Sequence, residues 1–245
     1  MTPYRHSYTI EDNEVDCFGY LKPYMILFYA QDVAGQHCKL LELSHDFMAE
    51  KRLFWAVIRH RVQISRMPRR DEKITVETWP MPTTRVAYPR AAVGYDENGE
   101  ELFRVISLWV LMDLDTRAMV LPGKSGVDVS GLLVGTELAP PASLLPKVLE
   151  RTEHRKVRYT DLDRNGHMNN CRYLEWVTDL LPSLFHNEHK MKEFTVCYLS
   201  EARESEELTL NWQCDSEGVL RVEATRDQDG ASAGHSRVFA AQIQY

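Results

Sequence analysis

One short segment of the chain has the residue types and spacing needed for acid–base chemistry. Residues 160–170, "TDLDRNGHMNN", contain two aspartates, three asparagines, one histidine and one glycine. Asp163, Asn165 and His167 occupy alternate positions, so an extended loop would point their side chains to one side. A histidine beside a carboxylate and an amide has the donors and acceptors for general acid–base catalysis on an acyl group.

Two metal-binding interpretations of this segment can be tested by counting. A calcium loop of the EF-hand type needs a glutamate at its twelfth position, and counting from Asp161 places Arg172 there. A zinc site needs more histidine or cysteine ligands at short spacing, and the loop around His167 offers none. We therefore expect no metal. Aspartate and asparagine also serve in turns and helix caps, and the local sequence leaves a purely structural role open.

The composition indicates a folded protein without export or membrane features. The 245 residues are 44% hydrophobic and 27% charged, and no apolar run is long enough to span a membrane. Residues 1–16 lack a signal or transit pattern, and five cysteines without paired spacing indicate reduced thiols. A cytoplasmic protein is expected. The net charge of −7 argues against nucleic acid as a partner.

An internal repeat divides the chain into two predicted domains. Residues 126–147 are rich in Gly, Pro and Ser, which predicts a linker between domains 1–125 and 148–245. Residues 16–32, "DCFGYLKPYMILFYAQD", align with residues 163–179, "DRNGHMNNCRYLEWVTD", at an offset of 147 positions. In each copy an Asp-x-x-Gly loop leads into a helical pattern.

Both helical patterns have one apolar face. In the first copy this face is Ile26, Leu27, Ala30, Val33, Ala34 and His37. In the second copy it is Tyr173, Trp176, Val177, Leu180, Leu181 and Leu184. Pro182 predicts that the second helix bends or ends near its C-terminus.

Strand patterns follow both helices. Residues 69–79 resemble residues 203–212, and turns at Gly99 and Gly230 each precede a β-rich run. Each half is thus predicted to hold a loop, one long helix and several antiparallel strands. We expect a duplicated α+β protein whose two helix-wrapped sheets join into one continuous sheet.

The repeat also shows which polar residues belong to one copy only. The aligned pairs are Asp16 with Asp163, Phe18 with Asn165, Gly19 with Gly166, and Tyr20 with His167. The aspartate and the glycine recur, whereas the asparagine and the histidine do not. At an offset of 134 positions, Met67 aligns with Glu201. We therefore predict a catalytic C-terminal half and a catalytically silent N-terminal half.

These segments resemble the acyl-acyl carrier protein thioesterases, double hot-dog enzymes that release fatty acids during fatty-acid biosynthesis. The loop "TDLDRNGHMNNCRYLEW" is similar to that family's active-site loop. The segments "LFWAVIRHRVQISRMPRRDEKITVETWP" and "SLWVLMDLDTRAMV" are similar to strands of its first domain. The resemblance spans roughly residues 5–245 and implies a tandem hot-dog fold of the α+β class.

The resemblance places the catalytic network on Asp163, Asn165, His167 and Glu201. Ala202 stands where plant members have a cysteine, so water is the expected nucleophile. Glu201, with or without Asp163, would deprotonate that water. His167 and Asn165 would position the water or the thioester, and His167 would protonate the departing thiolate. Backbone N–H groups from Gly166 to Met168 would polarise the carbonyl. No cofactor is expected.

The resemblance also predicts partners. The substrate would be an acyl chain on the phosphopantetheine arm of acyl carrier protein. The acyl chain would lie beneath the first helix, with Tyr24, Met25, Phe28 and Tyr29 as candidate lining residues. Because carrier protein is acidic, the arginine clusters Arg59–Arg70 and Arg151–Arg158 are candidate docking sites. A monomer or a homodimer is expected.

Three other functions stay open at this point. An acyl-CoA thioesterase would keep the fold and change the carrier. A hot-dog hydratase or dehydratase would use a similar acid and histidine without releasing thiol. A non-enzymatic acyl-binding module would need neither Glu201 nor His167.

Overall fold

The chain folds into two compact units, Met1–Pro141 and Ala142–Tyr245. A computed structural model describes residues 2–129, 131–134, 138–227 and 235–245. The division falls inside the predicted linker. The turn predicted at Gly230 lies outside the described residues.

The first unit is an antiparallel sheet with a long helix on one face. Its strands are β1 (Tyr4–Thr9), β2 (Leu53–Ile64), β3 (Lys73–Pro80), β4 (Tyr88–Tyr95), β5 (Glu101–Asp113) and β6 (Met119–Val120). Their order is β1-β3-β4-β5-β2, and β6 pairs with β5. The helices are α1 (Pro23–Leu40), α2 (His45–Glu50) and α3 (Pro122–Ser125).

Helix α1 confirms the helical pattern of the first copy. Pro23 occupies its first turn, where a missing N–H costs nothing. The predicted apolar face is buried at every position, namely Ile26, Leu27, Ala30, Val33, Ala34 and His37. The face packs on the sheet, and hydrophobic burial of this kind holds most protein helices in place.

Polar side chains lie beneath the C-terminal end of α1. The buried Arg90 guanidinium donates to Nδ1 of His37 at 3.2 Å and to the Thr78 hydroxyl at 3.3 Å. Burial, and then the charge of Arg90, lowers the pKa of His37 to about 4, so the ring is neutral and can accept. His60 bonds Ser107 at 2.8 Å, and burial lowers its pKa to about 3. Both rings therefore belong to the core.

The segment after α3 covers the other face of this sheet. Successive strand residues point to opposite faces, so Ala91 lies away from α1, which its neighbour Arg90 contacts. The apolar cluster there combines sheet and linker side chains: Trp79, Met81, Ala91, Val93, Ile106, Leu132, Val134 and Leu138. Every residue of β4 from Tyr88 to Gly94 is buried. We call the described residues 126–129, 131–134 and 138–141 the strap.

The strap is held by close backbone contact. Leu132 N donates to the carbonyl oxygen of Pro80 at 2.8 Å. A Cβ on Gly131 would stand 2.1 Å from the backbone nitrogen of Pro82, so only glycine fits there. The Gly- and Pro-rich composition predicted a linker here, and it missed this packing.

The second unit is a further antiparallel sheet with shorter helices. Its strands are β7 (Arg151–Lys156), β8 (Glu193–Tyr198), β9 (Glu207–Cys214), β10 (Val219–Asp227) and β11 (His235–Gln244), in the order β8-β11-β10-β9-β7. The helices are α4 (Asn170–Thr178) and α5 (Ser183–Glu188). Tyr173 of α4 packs on Tyr198 and Phe239, with ring centroids 5.5 Å and 4.8 Å away.

The prediction of one long helix in the second unit is wrong, whereas the predicted break near Pro182 is confirmed. Helix α4 ends at Thr178, and α5 begins after Pro182. Proline lacks an N–H and moves the residue before it out of helical conformation. The apolar face therefore stops at Leu180, and Leu184 is 63% exposed.

Both units pair an antiparallel sheet with helices, which confirms the α+β class. In the described part of the chain, no helix has the length and apolar character needed to cross a membrane.

Candidate active site

Residues 162–168 form a tight loop directly before α4. Asp163 N donates to the carbonyl oxygen of His167 at 2.8 Å, and Gly166 N donates to that of Asp163 at 3.1 Å. Gly166 has a φ of +76°, a left-handed conformation that costs other residues about 1–2 kcal/mol. The shape of the loop is therefore set by its own backbone.

The Asp163 carboxylate ties this loop together. Its Oδ1 accepts the backbone N–H of Asn165 at 2.8 Å and that of His167 at 3.4 Å. Its Oδ2 accepts the side-chain amide of Asn165 at 3.4 Å. Aspartate commonly makes such bonds in turns. The geometry therefore favours a positioning role for Asp163 over that of the base.

His167 and Glu201 meet at the centre of the site. Nε2 of His167 lies 3.1 Å from Oε2 of Glu201, and the two side chains are 12% and 42% exposed. They meet because His167 pairs with Arg203 in an antiparallel bridge. Beside it, Met168 N donates to the carbonyl oxygen of Ala202 at 2.8 Å. The pair is mostly buried on the histidine side and open to water on the carboxylate side.

The structure thus joins the four predicted residues through one chain of contacts. Asn165 bonds Asp163, Asp163 bonds the His167 backbone, and the His167 ring contacts Glu201. Asn165 is exposed at the outer side of the loop.

The predicted oxyanion donors from Gly166 to Met168 are contradicted by the structure. Their N–H groups are already bonded, to the Asp163 carbonyl, the Asp163 carboxylate and the Ala202 carbonyl. Sequence patterns could not show this, because the acceptors become neighbours only in the fold. A different N–H lies at the start of α4: that of Asn170 has no acceptor among the described residues. The first N–H groups of a helix have no partner within it and carry partial positive charge.

The cysteine nearest in sequence to His167 is unsuited to attack. Cys171 is fully buried in α4, and burial raises the pKa of its thiol far above the ordinary value. The thiol, not the reactive thiolate, is therefore the stable form. Ala202, at the position where plant members of the family have a cysteine, carries no thiol and is also fully buried. Neither position therefore supplies a reactive thiolate.

The four candidate acyl-chain residues differ in exposure. Tyr24, Met25 and Phe28 are half-buried on α1, whereas Tyr29 is buried against Tyr8 with ring centroids 4.5 Å apart. Tyr29 therefore packs as a core residue. The placement of an acyl chain on this helix stays a prediction.

Two family models match the chain. The acyl-ACP thioesterase N-terminal domain matches residues 2–121, and the C-terminal domain matches residues 147–239. The palmitoyl-acyl carrier protein thioesterase of Arabidopsis thaliana, a chloroplastic protein, is 27% identical over 258 residues, which cover 96% of this chain and 63% of the relative. The chain therefore spans less than two thirds of that relative's length.

Solved structures agree with these matches. An acyl-ACP thioesterase from Bacteroides thetaiotaomicron superposes with a TM-score of 0.87 at 23% identity, covering 99% of this chain and 97% of its own. A 12:0-ACP thioesterase from Umbellularia californica gives 0.81 at 22% identity, covering 99% and 96%. At these identities the likeness concerns the fold, and it confirms the tandem hot-dog architecture.

Proposed function

The chain belongs to the acyl-ACP thioesterase family, and from this premise we propose that it hydrolyses the thioester of fatty acyl-acyl carrier protein. The products are a free fatty acid and holo-carrier protein, and the setting is fatty-acid biosynthesis. The observation that supports this chemistry best is the contact of His167 with Glu201, 3.1 Å long, beside the N-terminus of α4.

Glu201 is the proposed base. Its carboxylate is 42% exposed, so water can reach it, and His167 holds one of its oxygens. The carboxylate takes a proton from water as the water oxygen bonds the thioester carbon. The tetrahedral intermediate then releases the thiolate as the C–S bond breaks. The thiolate receives that proton through Glu201 or His167.

The N–H of Asn170 is the proposed donor to the carbonyl oxygen. Negative charge develops on that oxygen in the tetrahedral intermediate. A helix N-terminus favours such charge, and removing one donor of this kind typically lowers the rate about 100- to 1,000-fold. Asp163 holds the loop that carries His167, and Asn165 positions the water or the thioester from the exposed side.

The two halves have different proposed roles. Domain 148–245 performs the chemistry, and domain 1–125 is catalytically silent and holds the acyl chain on α1, with residues 126–147 between them. All five cysteines are free thiols, which supports a reducing compartment such as the cytoplasm. Whether the chain is a monomer or a homodimer stays a prediction.

The test is thiol release from a panel of acyl-carrier proteins of different chain lengths. Wild type should release thiol, and His167→Ala should lower kcat about 100- to 10,000-fold, the usual range for loss of an acid–base group. His154→Ala is the matched control, because His154 is exposed on β7 of the same unit. No release by folded wild type would overturn the proposed substrate. Turnover of acyl-CoA alone would move the activity to that carrier.

A further inference from the structure

We propose that Arg158, Tyr159, Arg164 and Arg203 form the surface on which the acidic carrier protein docks. We call these four residues the basic rim. The proposal rests on the proposed function, because it names where the partner in that reaction binds.

Backbone contacts place the basic rim around the candidate active site. Arg203 is the bridge partner of His167, and side chains directly opposite in an antiparallel pair have Cβ atoms about 4.5–5.5 Å apart. Arg164 lies within the loop itself. Val157, just before Arg158, exchanges backbone hydrogen bonds of 2.9 Å with Ser205 and Glu206. The end of β7 therefore adjoins the turn that carries Arg203.

The side chains of the rim are available to a partner. Arg158, Arg164 and Arg203 are exposed, and none forms an ion pair with another described residue. Tyr159 is 79% exposed. Arginine and tyrosine are enriched at the energetic centres of protein interfaces. Cations without an internal acid partner keep their charge for attraction to an acidic protein.

Most arginines of the predicted Arg59–Arg70 cluster have partners inside the chain. Arg66 pairs with Glu72 at 2.6 Å, and Arg70 pairs with Asp12 at 2.9 Å. Two others donate to strap carbonyls at 3.3 Å, namely Arg59 to Pro141 and Arg61 to Ala139. Their charges and donors are largely used internally, so this cluster is a weaker docking surface than the rim.

The second predicted cluster is divided. Arg155 bonds Glu153 at 2.6 Å and Asp179 at 3.0 Å. Arg151 stacks on the Trp212 ring, with its guanidinium carbon 4.7 Å from the centroid. Among the arginines of this cluster we therefore retain Arg158.

The first unit supplies an internal control for the rim. Its matching positions, 147 residues earlier, are Glu11, Asp12 and Cys17 where the second unit has Arg158, Tyr159 and Arg164. Arg69 matches Arg203, but its guanidinium lies 4.6 Å from the Tyr20 ring centroid and donates to the Tyr20 hydroxyl at 2.8 Å. The basic character therefore accompanies the half that carries His167 and Glu201.

Most acidic side chains around the rim already bond other groups of the chain. Glu206 pairs with Arg226 at 3.0 Å, and Asp161 accepts the backbone N–H of Arg158 at 2.8 Å. Glu201 contacts His167, and Asp163 bonds the loop. Glu204 is exposed beside Arg203 and opposes an acidic partner. Replacing Glu204 by lysine should therefore strengthen docking.

The experiment measures two quantities at low and high salt. One is the Kd of holo-carrier protein by fluorescence anisotropy, and the other is the ratio of kcat/KM on acyl-carrier protein to that on acyl-pantetheine. In Arg158→Glu/Arg203→Glu at low salt, we expect Kd to rise and the ratio to fall about tenfold or more, with both changes shrinking as salt screens the charges. Glu204→Lys should lower Kd about two- to threefold.

The matched control is Lys124→Glu/Lys147→Glu, which makes the same charge change at exposed lysines outside the rim. It should leave Kd and the ratio within about twofold of wild type. Equal changes in both double variants would refute the basic rim as the docking surface. An unchanged Kd in Arg158→Glu/Arg203→Glu would refute it as well. Should that variant unfold, Tyr159→Ala replaces it: a raised Kd supports the rim and an unchanged Kd overturns it. Failure of wild type to turn over either thioester would refute the proposed function, while the Kd still tests docking.

Discussion

The loop before α1 and the loop before α4 are closed by the same backbone hydrogen bonds. Asp16 N donates to the carbonyl of Tyr20 at 2.8 Å, and Asp163 N donates to that of His167 at 2.8 Å. The glycine of each loop has a nearly equal φ, +77° and +76°. A single backbone conformation thus carries two different sets of side chains.

The shared aspartate shows what the loop needs for its shape. Oδ1 of Asp16 accepts the N–H groups of Phe18 and Tyr20 at 2.9 Å and 3.0 Å. Asp163 makes the corresponding bonds in the second unit. Because the aspartate is equally engaged in a loop without the histidine, its bonds serve the loop. The comparison therefore favours Glu201 as the base.

The differing positions remove three chemical functions from the first loop. The aligned pairs are Tyr20 with His167, Met67 with Glu201, and Pro23 with Asn170. A thioether cannot accept a proton from water, and proline has no N–H to offer an oxyanion. The proposed base, its histidine partner and the proposed oxyanion donor are thus absent together from the first unit, as expected if the three act together.

The largest effect should come from replacing Glu201 of the second unit by methionine, the residue at the aligned position of the first unit. Glu201→Met should lower kcat about 100- to 10,000-fold, because it removes the base. The fold should survive, since Met67 occupies the aligned position in the first unit. Thiol release and thermal unfolding measure the two properties. Activity within about threefold of wild type would break the comparison.

The second-largest effect is expected for Asn170→Pro. It should lower kcat about 100- to 1,000-fold, because it removes one N–H donor. Proline is favoured at the first position of a helix, and Pro23 already stands there in α1. The preceding Asn169 has φ −61° and ψ 136°, which suits a residue before proline. Circular dichroism should show an intact fold. The control Asn170→Ala keeps the N–H and should be clearly more active, whereas equal loss in both would assign the effect to the side chain.

Asp163 should give a smaller effect that depends on the replacement. Asparagine can still accept the loop N–H groups, so Asp163→Asn should keep activity within about tenfold, as expected for positioning. Asp163→Ala and Asp16→Ala should each lower the free energy of unfolding by about 1–3 kcal/mol, because the loop N–H groups lose their hydrogen bonds to a charged acceptor. Urea unfolding measures both. A loss of activity in Asp163→Asn as deep as in Glu201→Met would reverse the assignment of the base.

The two loop glycines should give the smallest and most similar effects. Gly19→Ala and Gly166→Ala should each destabilise the chain by about 1–2 kcal/mol, the cost of a side chain in the left-handed region. No neighbouring atom lies within 4 Å of either added Cβ, so a clash adds nothing. Urea midpoints compare the pair directly. A difference above about 1 kcal/mol would show that the loops are not equivalent in stability.

The sequence predicted well what depends on local spacing and on the repeat. The face of α1 followed from apolar periodicity, and alignment of the copies singled out His167 and Glu201, which the fold brings within 3.1 Å. Such patterns report which side of an element is buried. They also report which polar residues one copy keeps and the other lacks.

What the sequence could not show depends on contacts between distant segments. The engagement of the Met168 N–H requires the Ala202 carbonyl, and the pairing of Arg66 requires Glu72 to fold back on it. Leu132, Val134 and Leu138 have no regular period, so their burial on the sheet was hidden. The match of Pro23 with Asn170 was visible in the alignment. It gains a functional interpretation only from the structure, because proline lacks the N–H that Asn170 presents at the start of α4.

The strap has a consequence for how the protein is made. Strands β1 to β6 are complete once synthesis reaches Val120, but the apolar side chains of Trp79, Met81 and Ile106 are covered only by residues added later. An exposed apolar surface of this kind invites association with other chains. The first unit therefore reaches its final packing only after Leu138 has left the ribosome. A fragment cut at residue 121 should aggregate, whereas one extended to Pro141 carries its own cover.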